Sequence, residues 1–148
     1  MQRSTLILSL ALCAIPYAAQ AETCKSTTES EIADQFERWN DMLKTGNPDK
    51  VVSMYEDDAV LLPTMSNTPR LTRDAKRDYF VHFMEKHPVG SINSRAVRIG
   101  CNDAIASGLY TFKFDDGRSV AARYTYTYAW NGQDWRITSH HSSAMPEH

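Results

Sequence analysis

The sequence predicts an α+β fold in which helices come first and cover one side of a curved antiparallel sheet. Three observations carry this. Apolar residues recur at helical spacing before Pro88 and at every second position after Ser91. The second half contains four such period-two runs separated by short turn clusters, the pattern of an antiparallel meander. Asn131-Gly132 sits between the last two runs, and an Asn-Gly pair between alternating segments is the strongest local hairpin signal.

The elements follow in order. Thr28-Glu29-Ser30-Glu31 is a capping box that opens a helix. Ile32, Phe36, Trp39 and Leu43 then form one apolar stripe, and Gly46 stops it. Asn47-Pro48 starts a short second helix with Pro at its first position. Val51, Val52 and Tyr55 are its buried side, and Asp57-Asp58 is its end. Ala59 to Leu62 reads as a short strand, and Pro63 to Leu71 as an irregular or hairpin-like excursion. Thr72 caps a third helix whose apolar face holds Ala75, Tyr79, Phe80, Phe83 and Met84. Pro88 and Gly90 end it. Strands are expected over 91–100, 104–114, 119–130 and 135–143. A strongly curved sheet of four to six strands, with three helices on its concave side, makes a cone.

The last hairpin carries the chemistry. Tyr124, Tyr126, Tyr128 and Trp130 share one face of its first arm, with Thr125 and Thr127 on the other. Trp135, Ile137, Ser139 and His141 share one face of its second arm, with Arg136, Thr138 and His140 opposite. A tight closure at Asn131-Gly132 sets Tyr128 against Trp135 and Tyr126 against Ile137. The expected interior is therefore an aromatic pocket lined by Trp39, Tyr55, Tyr124, Tyr126, Tyr128 and Trp135, with His141 pointing into it. His141 is then a candidate general acid or base, or a histidine that only completes a hydrogen-bond network. Asp58 is the candidate carboxylate partner, provided that desolvation raises its pKa. Arg123 falls on the face away from the tyrosines, and a one-residue slip would bring it into the pocket.

Adjacent strand residues point to opposite faces, so His140 and His141 cannot share one ion, and no third ligand has suitable spacing. Neither a metal nor a cofactor is expected. Ser139, Ser142 and Ser143 lack a Gly-x-Ser-x-Gly elbow, which argues against nucleophilic catalysis.

Residues 1–21 read as a signal peptide: Arg3, an apolar run from Thr5 to Ile15, and Ala19-Gln20-Ala21 as the cleavage pattern. The remaining 22–148 suits one domain. The chain has 16 basic and 18 acidic residues, and 42% of it is hydrophobic. It is therefore a globular sequence without the basic excess that nucleic acid or anionic lipid would require. After cleavage no membrane partner is expected, and the compartment is periplasmic or extracellular. There Cys24 and Cys101 are more often bridged than free, although two unrelated thiols remain the other reading.

The order of elements, and the ending Asn131-Gly132-x-x-Trp135-x-Ile137, resemble the nuclear transport factor 2-like superfamily. Further residues narrow the likeness: Phe36-x-x-Trp39-Asn40, Gly46-Asn47-Pro48-x-x-Val51, Tyr55-x-x-Asp58-Ala59-Val60-Leu61-Leu62-Pro63-Thr64 and Ser139-His140-His141-Ser142-Ser143-Ala144-Met145-Pro146. Within the superfamily the chain is similar to the association domain of calcium/calmodulin-dependent protein kinase II and its stand-alone bacterial relatives. The likeness spans Glu29 to Pro146. It implies the cone-shaped, polyketide-cyclase-like fold and association with further copies of the chain, as a dimer or larger. Enzymes of the superfamily include isomerases, cyclases and dehydratases. The kinase domain's pocket carries arginines, whereas this chain offers Tyr126 and Tyr128, which points to an aromatic pocket. The resulting expectation is an exported, self-associating domain that holds a small molecule without transforming it. The alternatives are an acid–base enzyme using His141 and a carboxylate, and a purely structural assembly module.

Overall fold

The structure is a computed structural model and describes residues 23–146. The expected leader, residues 1–21, lies outside that range. The elements are α1 (Glu29–Lys44), α2 (Pro48–Val52), β1 (Tyr55–Leu62), α3 (Arg73–Met84), β2 (Val89–Ile99), β3 (Asp103–Lys113), β4 (Ser119–Trp130) and β5 (Trp135–Ala144). Capping explains the helix starts. Thr28 accepts from the Glu31 N–H, Asn47 from the Asp49 N–H and Thr72 from the Ala75 N–H, each satisfying an orphan donor. Gly46 leaves α1 with a φ of 67°, a left-handed value that suits glycine.

The strands form one five-stranded sheet in the order β1-β5-β4-β3-β2. β2 to β5 are the expected antiparallel meander, and β1 lies parallel to β5 at one edge. Asp57 and Asp58 do not end α2. They lie in β1, both exposed, because the chain turns extended immediately after Met54. β1 breaks register between Tyr55 and Val60. Lys76, buried on α3, closes that irregularity by donating from Nζ to the carbonyls of Asp57 (3.1 Å) and Ala59 (2.7 Å). Carbonyls that the ladder leaves unpaired thus gain a charge-assisted partner.

The helices pack on one face of the sheet. Ile32, Phe36, Trp39 and Leu43 of α1 are buried, together with Tyr110, Phe112, Tyr124, Tyr126 and Tyr128 from the strands. Phe36 touches the rings of Tyr124 and Tyr126, at 6.5 and 6.4 Å between centroids. This is how the tyrosine ladder of β4 is covered. Gly90 allows the close approach of α1 to β2, since a Cβ there would lie 2.8 Å from Phe36. Asn40 secures the contact by bonding the Gly90 N–H and carbonyl, at 2.8 and 3.0 Å. At the opposite end Cys24 and Cys101 form a disulfide that ties the segment before α1 to the β2–β3 turn.

The β4–β5 hairpin differs from expectation in two ways. Its loop has four residues, Asn131 to Asp134, with Trp130 opposite Trp135 and Tyr128 opposite Ile137. The Asn131 side chain accepts from the N–H groups of Gln133 and Asp134, and Gly132 takes a φ of 97°, so the Asn-Gly pair shapes a longer turn. The second difference is a bulge. Thr127 pairs with Ser139 while Tyr128 pairs with Ile137, leaving Thr138 as an extra residue in β5.

Candidate functional site

The bulge decides the site. Trp135 and Ile137 face the core, but beyond Thr138 the alternation shifts by one. His140 and Ser142 become the buried residues, and His141 turns outward and is exposed. The expectation that His141 points inward is therefore corrected to His140. A one-residue insertion exchanges every side chain between the two faces.

His140 is enclosed by rings. Tyr126 stacks on its imidazole at 4.0 Å, and Trp39 meets it edge-on at 5.5 Å. Both ring nitrogens have hydroxyl neighbours: Nδ1 lies 2.9 Å from Tyr55 Oη, and Nε2 lies 3.4 Å from Tyr110 Oη. Trp39 Nε1–H donates to Tyr55 Oη at 3.0 Å. Tyr110 Oη donates to Ser142 Oγ at 2.5 Å, and Ser142 in turn bonds Thr64 Oγ1. Six side chains from α1, β1, the following loop, β3 and β5 thus form one continuous line.

Burial governs the charge of this line. It pushes the His140 pKa down to about 3, and the neighbouring His141 adds to the effect. The imidazole is neutral at physiological pH. Burial likewise raises Tyr55 and Tyr110, so both hydroxyls keep their protons.

The outer end of the line opens into a cavity of about 40 Å³. Trp39, Leu61, Phe80, Phe83, Phe112 and Phe114 supply its apolar walls, and Thr64, Tyr110, His140 and Ser142 its polar end. Pro63, Met65 and Tyr79 also border it, with Met65 77% exposed where the cavity meets solvent. No carboxylate lines it among the described residues.

Of the residues expected to form the pocket, Trp39 lies on this cavity. Tyr55 contacts His140 from behind. Tyr124, Tyr126, Tyr128 and Trp135 are buried in the packed core, where Phe36 covers Tyr124 and Tyr126 and Trp39 meets Tyr126. Arg123 is exposed on the outer face, where it bonds the Ala144 carbonyl. Asp58 is exposed and does not line the cavity, so no inward histidine–carboxylate pair forms with His141. Sequence reasoning passed over Tyr110, Thr64, His140 and Ser142. Thr64 and the His140–Ser142 run were visible in the motifs, but their convergence depends on the bulge and on parallel pairing of β1 with β5. Among the described residues no group of three His, Cys, Asp or Glu is arranged to hold a metal ion.

Comparison with known proteins matches residues 28–146 to the calcium/calmodulin dependent protein kinase II association domain. A solved structure from Xanthomonas campestris, described as such an association domain, is 41% identical, covers 91% of this chain and 100% of its own, and superposes with a TM-score of 0.79. The iota-carbonic anhydrase of a cyanobacterium, solved in complex with bicarbonate, is 20% identical over 90% of this chain and all of its own, with a TM-score of 0.75. An NTF2-like protein of unknown function from Pseudomonas putida KT2440 is 22% identical, covering 80% of this chain and 87% of its own, with a TM-score of 0.70. The last two share the fold. No curated protein sequence matches the chain. The chain belongs to the calcium/calmodulin dependent protein kinase II association domain family.

Proposed function

Starting from membership of the association-domain family, we propose that this chain is an exported, self-associating domain whose cavity takes carbon dioxide and bicarbonate and interconverts them. The observation that carries the reading is the buried line of hydroxyls and a neutral imidazole at the end of a small apolar cavity. A cavity of about 40 Å³ holds roughly three to four waters, at about 10–15 Å³ each. That suits a one-carbon molecule better than a steroid or polyketide. The aromatic walls suit uncharged carbon dioxide. The hydroxyls of Ser142, Thr64 and Tyr110 suit the oxygens of the product. A fold relative named as a carbonic anhydrase with bound bicarbonate supports this substrate class.

In the hydration direction, a water held by Ser142 and Thr64 attacks the carbon. One C–O bond forms while one C=O electron pair moves onto oxygen, where the Thr64 hydroxyl stabilises the charge. The water's proton passes to a buffer base, such as a second bicarbonate or another solution base, at the mouth beside Met65, and bicarbonate remains. His140 does not store that proton, because its pKa of about 3 is far below the working pH. Its role is to orient Tyr110.

Stopped-flow hydration of carbon dioxide, followed with a pH indicator, tests the reading. The protein should exceed the buffer rate, and Thr64→Ala should lose about 10² in kcat, the loss typical of one missing donor. A folded protein with no rate above buffer would overturn it. Bicarbonate binding without turnover would return the cavity to the role of a holding site. Self-association through the outer sheet face is supported by the family and by exposed Ile105 beside half-buried Thr125 and Thr127. Light scattering tests it, and a strict monomer at high concentration would count against it. Export with loss of residues 1–21 is supported by the Cys24–Cys101 disulfide.

A further inference from the structure

We propose that Tyr55, which does not border the cavity, sets the direction of every hydrogen bond at its polar end. The inference deepens the reading above, although its structural part stands without turnover. It rests on counting donors. The Trp39 indole can only donate, so the bond at 3.0 Å makes Tyr55 Oη an acceptor there. Tyr55 has one proton of its own, and its remaining partner is His140 Nδ1 at 2.9 Å. Were Nδ1 to carry the ring proton, Tyr55 Oη would face two donors and its own proton would be buried without an acceptor. Nδ1 therefore accepts, and the neutral ring carries its proton on Nε2.

The rest follows along the line. Nε2–H points at Tyr110 Oη, which accepts and passes its own proton to Ser142 Oγ. Ser142 passes its proton to Thr64, whose hydroxyl hydrogen is left for the cavity. With the opposite tautomer the line reverses: Thr64 donates to Ser142, Ser142 to Tyr110, and Tyr110 to Nε2. The cavity would then meet only lone pairs at Thr64, an unsuitable end for an anion. Tyr55 is thus a positioning residue, acting through His140 on the Thr64 hydroxyl four hydrogen bonds away.

The experiment is nitrogen-15 NMR of the His140 ring in the full-length protein, with Tyr55→Phe alongside and thermal unfolding to confirm that both are folded. The wild type should show a protonated Nε2 and a bare Nδ1. The variant should lose that fixed pattern, either reversing or mixing the tautomers. Its kcat for carbon dioxide hydration should fall by about tenfold while thermal unfolding stays cooperative. A wild-type ring protonated on Nδ1 overturns the proposal whatever the variant does. A variant that keeps the wild-type tautomer also overturns it. Absence of turnover in both proteins removes the catalytic reading but leaves the NMR outcome decisive.

Discussion

Acidification should weaken this protein through a single buried ring. His140 has a pKa of about 3 in the folded chain against 6.5 when unfolded. Below 6.5 the unfolded chain takes up a proton that the native chain refuses, so stability falls with falling pH and levels off near pH 3. At pH 5 the unfolded histidine lies one and a half units below its pKa of 6.5. At about 1.4 kcal/mol per unit this is a loss of about 2 kcal/mol relative to pH 7.5. The figure hardly depends on the native pKa so long as that stays below about 4, because the native ring is then almost wholly neutral at pH 5. Most carboxylates remain ionised at pH 5, which isolates the histidine. The assay is urea unfolding followed by tryptophan fluorescence at pH 7.5, 6.5, 5.5 and 5, for the wild type and for His140→Asn. The asparagine oxygen can still accept from Tyr55. The wild type should lose about 2 kcal/mol more than the variant across this range. Parallel profiles would refute the burial argument, and with it the neutral imidazole on which the site reading depends.

Three further outcomes are expected. Among the described residues, Tyr126 Oη is buried with no hydrogen-bond partner. Tyr126→Phe, which keeps the stack on His140, should raise stability by about 1 kcal/mol, and a lower unfolding midpoint would contradict this. Reduction of the Cys24–Cys101 bridge, which spans 77 residues of sequence, should lower stability by about 4 kcal/mol on the chain-entropy estimate. Comparison of oxidised protein with Cys24→Ser/Cys101→Ser in urea measures it. A Cβ on Gly108 would lie 2.0 Å from the Ser94 carbonyl oxygen, against backbone that pairs β2 with β3. Gly108→Ala should therefore cost at least about 2 kcal/mol, seen as a lower thermal midpoint, and an unchanged midpoint would show that the strands can part there without penalty.

Much of the fold was legible along the chain because its signals are local. The caps at Thr28, Asn47 and Thr72 announce helices through groups a few residues apart. The alternation in β2 to β5 announces strands, and a turn cluster stands between each pair. Tyr124, Tyr126 and Tyr128 were placed inward correctly because Thr125, Thr127 and Arg123 mark the other face. The second arm offered no such marker. After Ile137 the sequence runs Thr-Ser-His-His-Ser-Ser, with no apolar residue to fix the phase. A bulge at Thr138 therefore leaves no trace in the pattern. Asp58 was misplaced for a related reason: Asp57-Asp58 reads as a helix end, while the pairing of β1 with β5 makes it part of a strand.

The sequence alone determined the element order, the aromatic content of the interior and the family, since these rest on short-range spacing and composition. Tertiary structure alone decided which histidine is inside. That choice depends on how β5 meets β4 on one side and β1 on the other. Two ladders fix the strand at once, and the extra residue at Thr138 lets both be satisfied. The same fit brings Thr64, Tyr110 and Ser142, from three distant stretches of chain, to one end of a cavity beside His140.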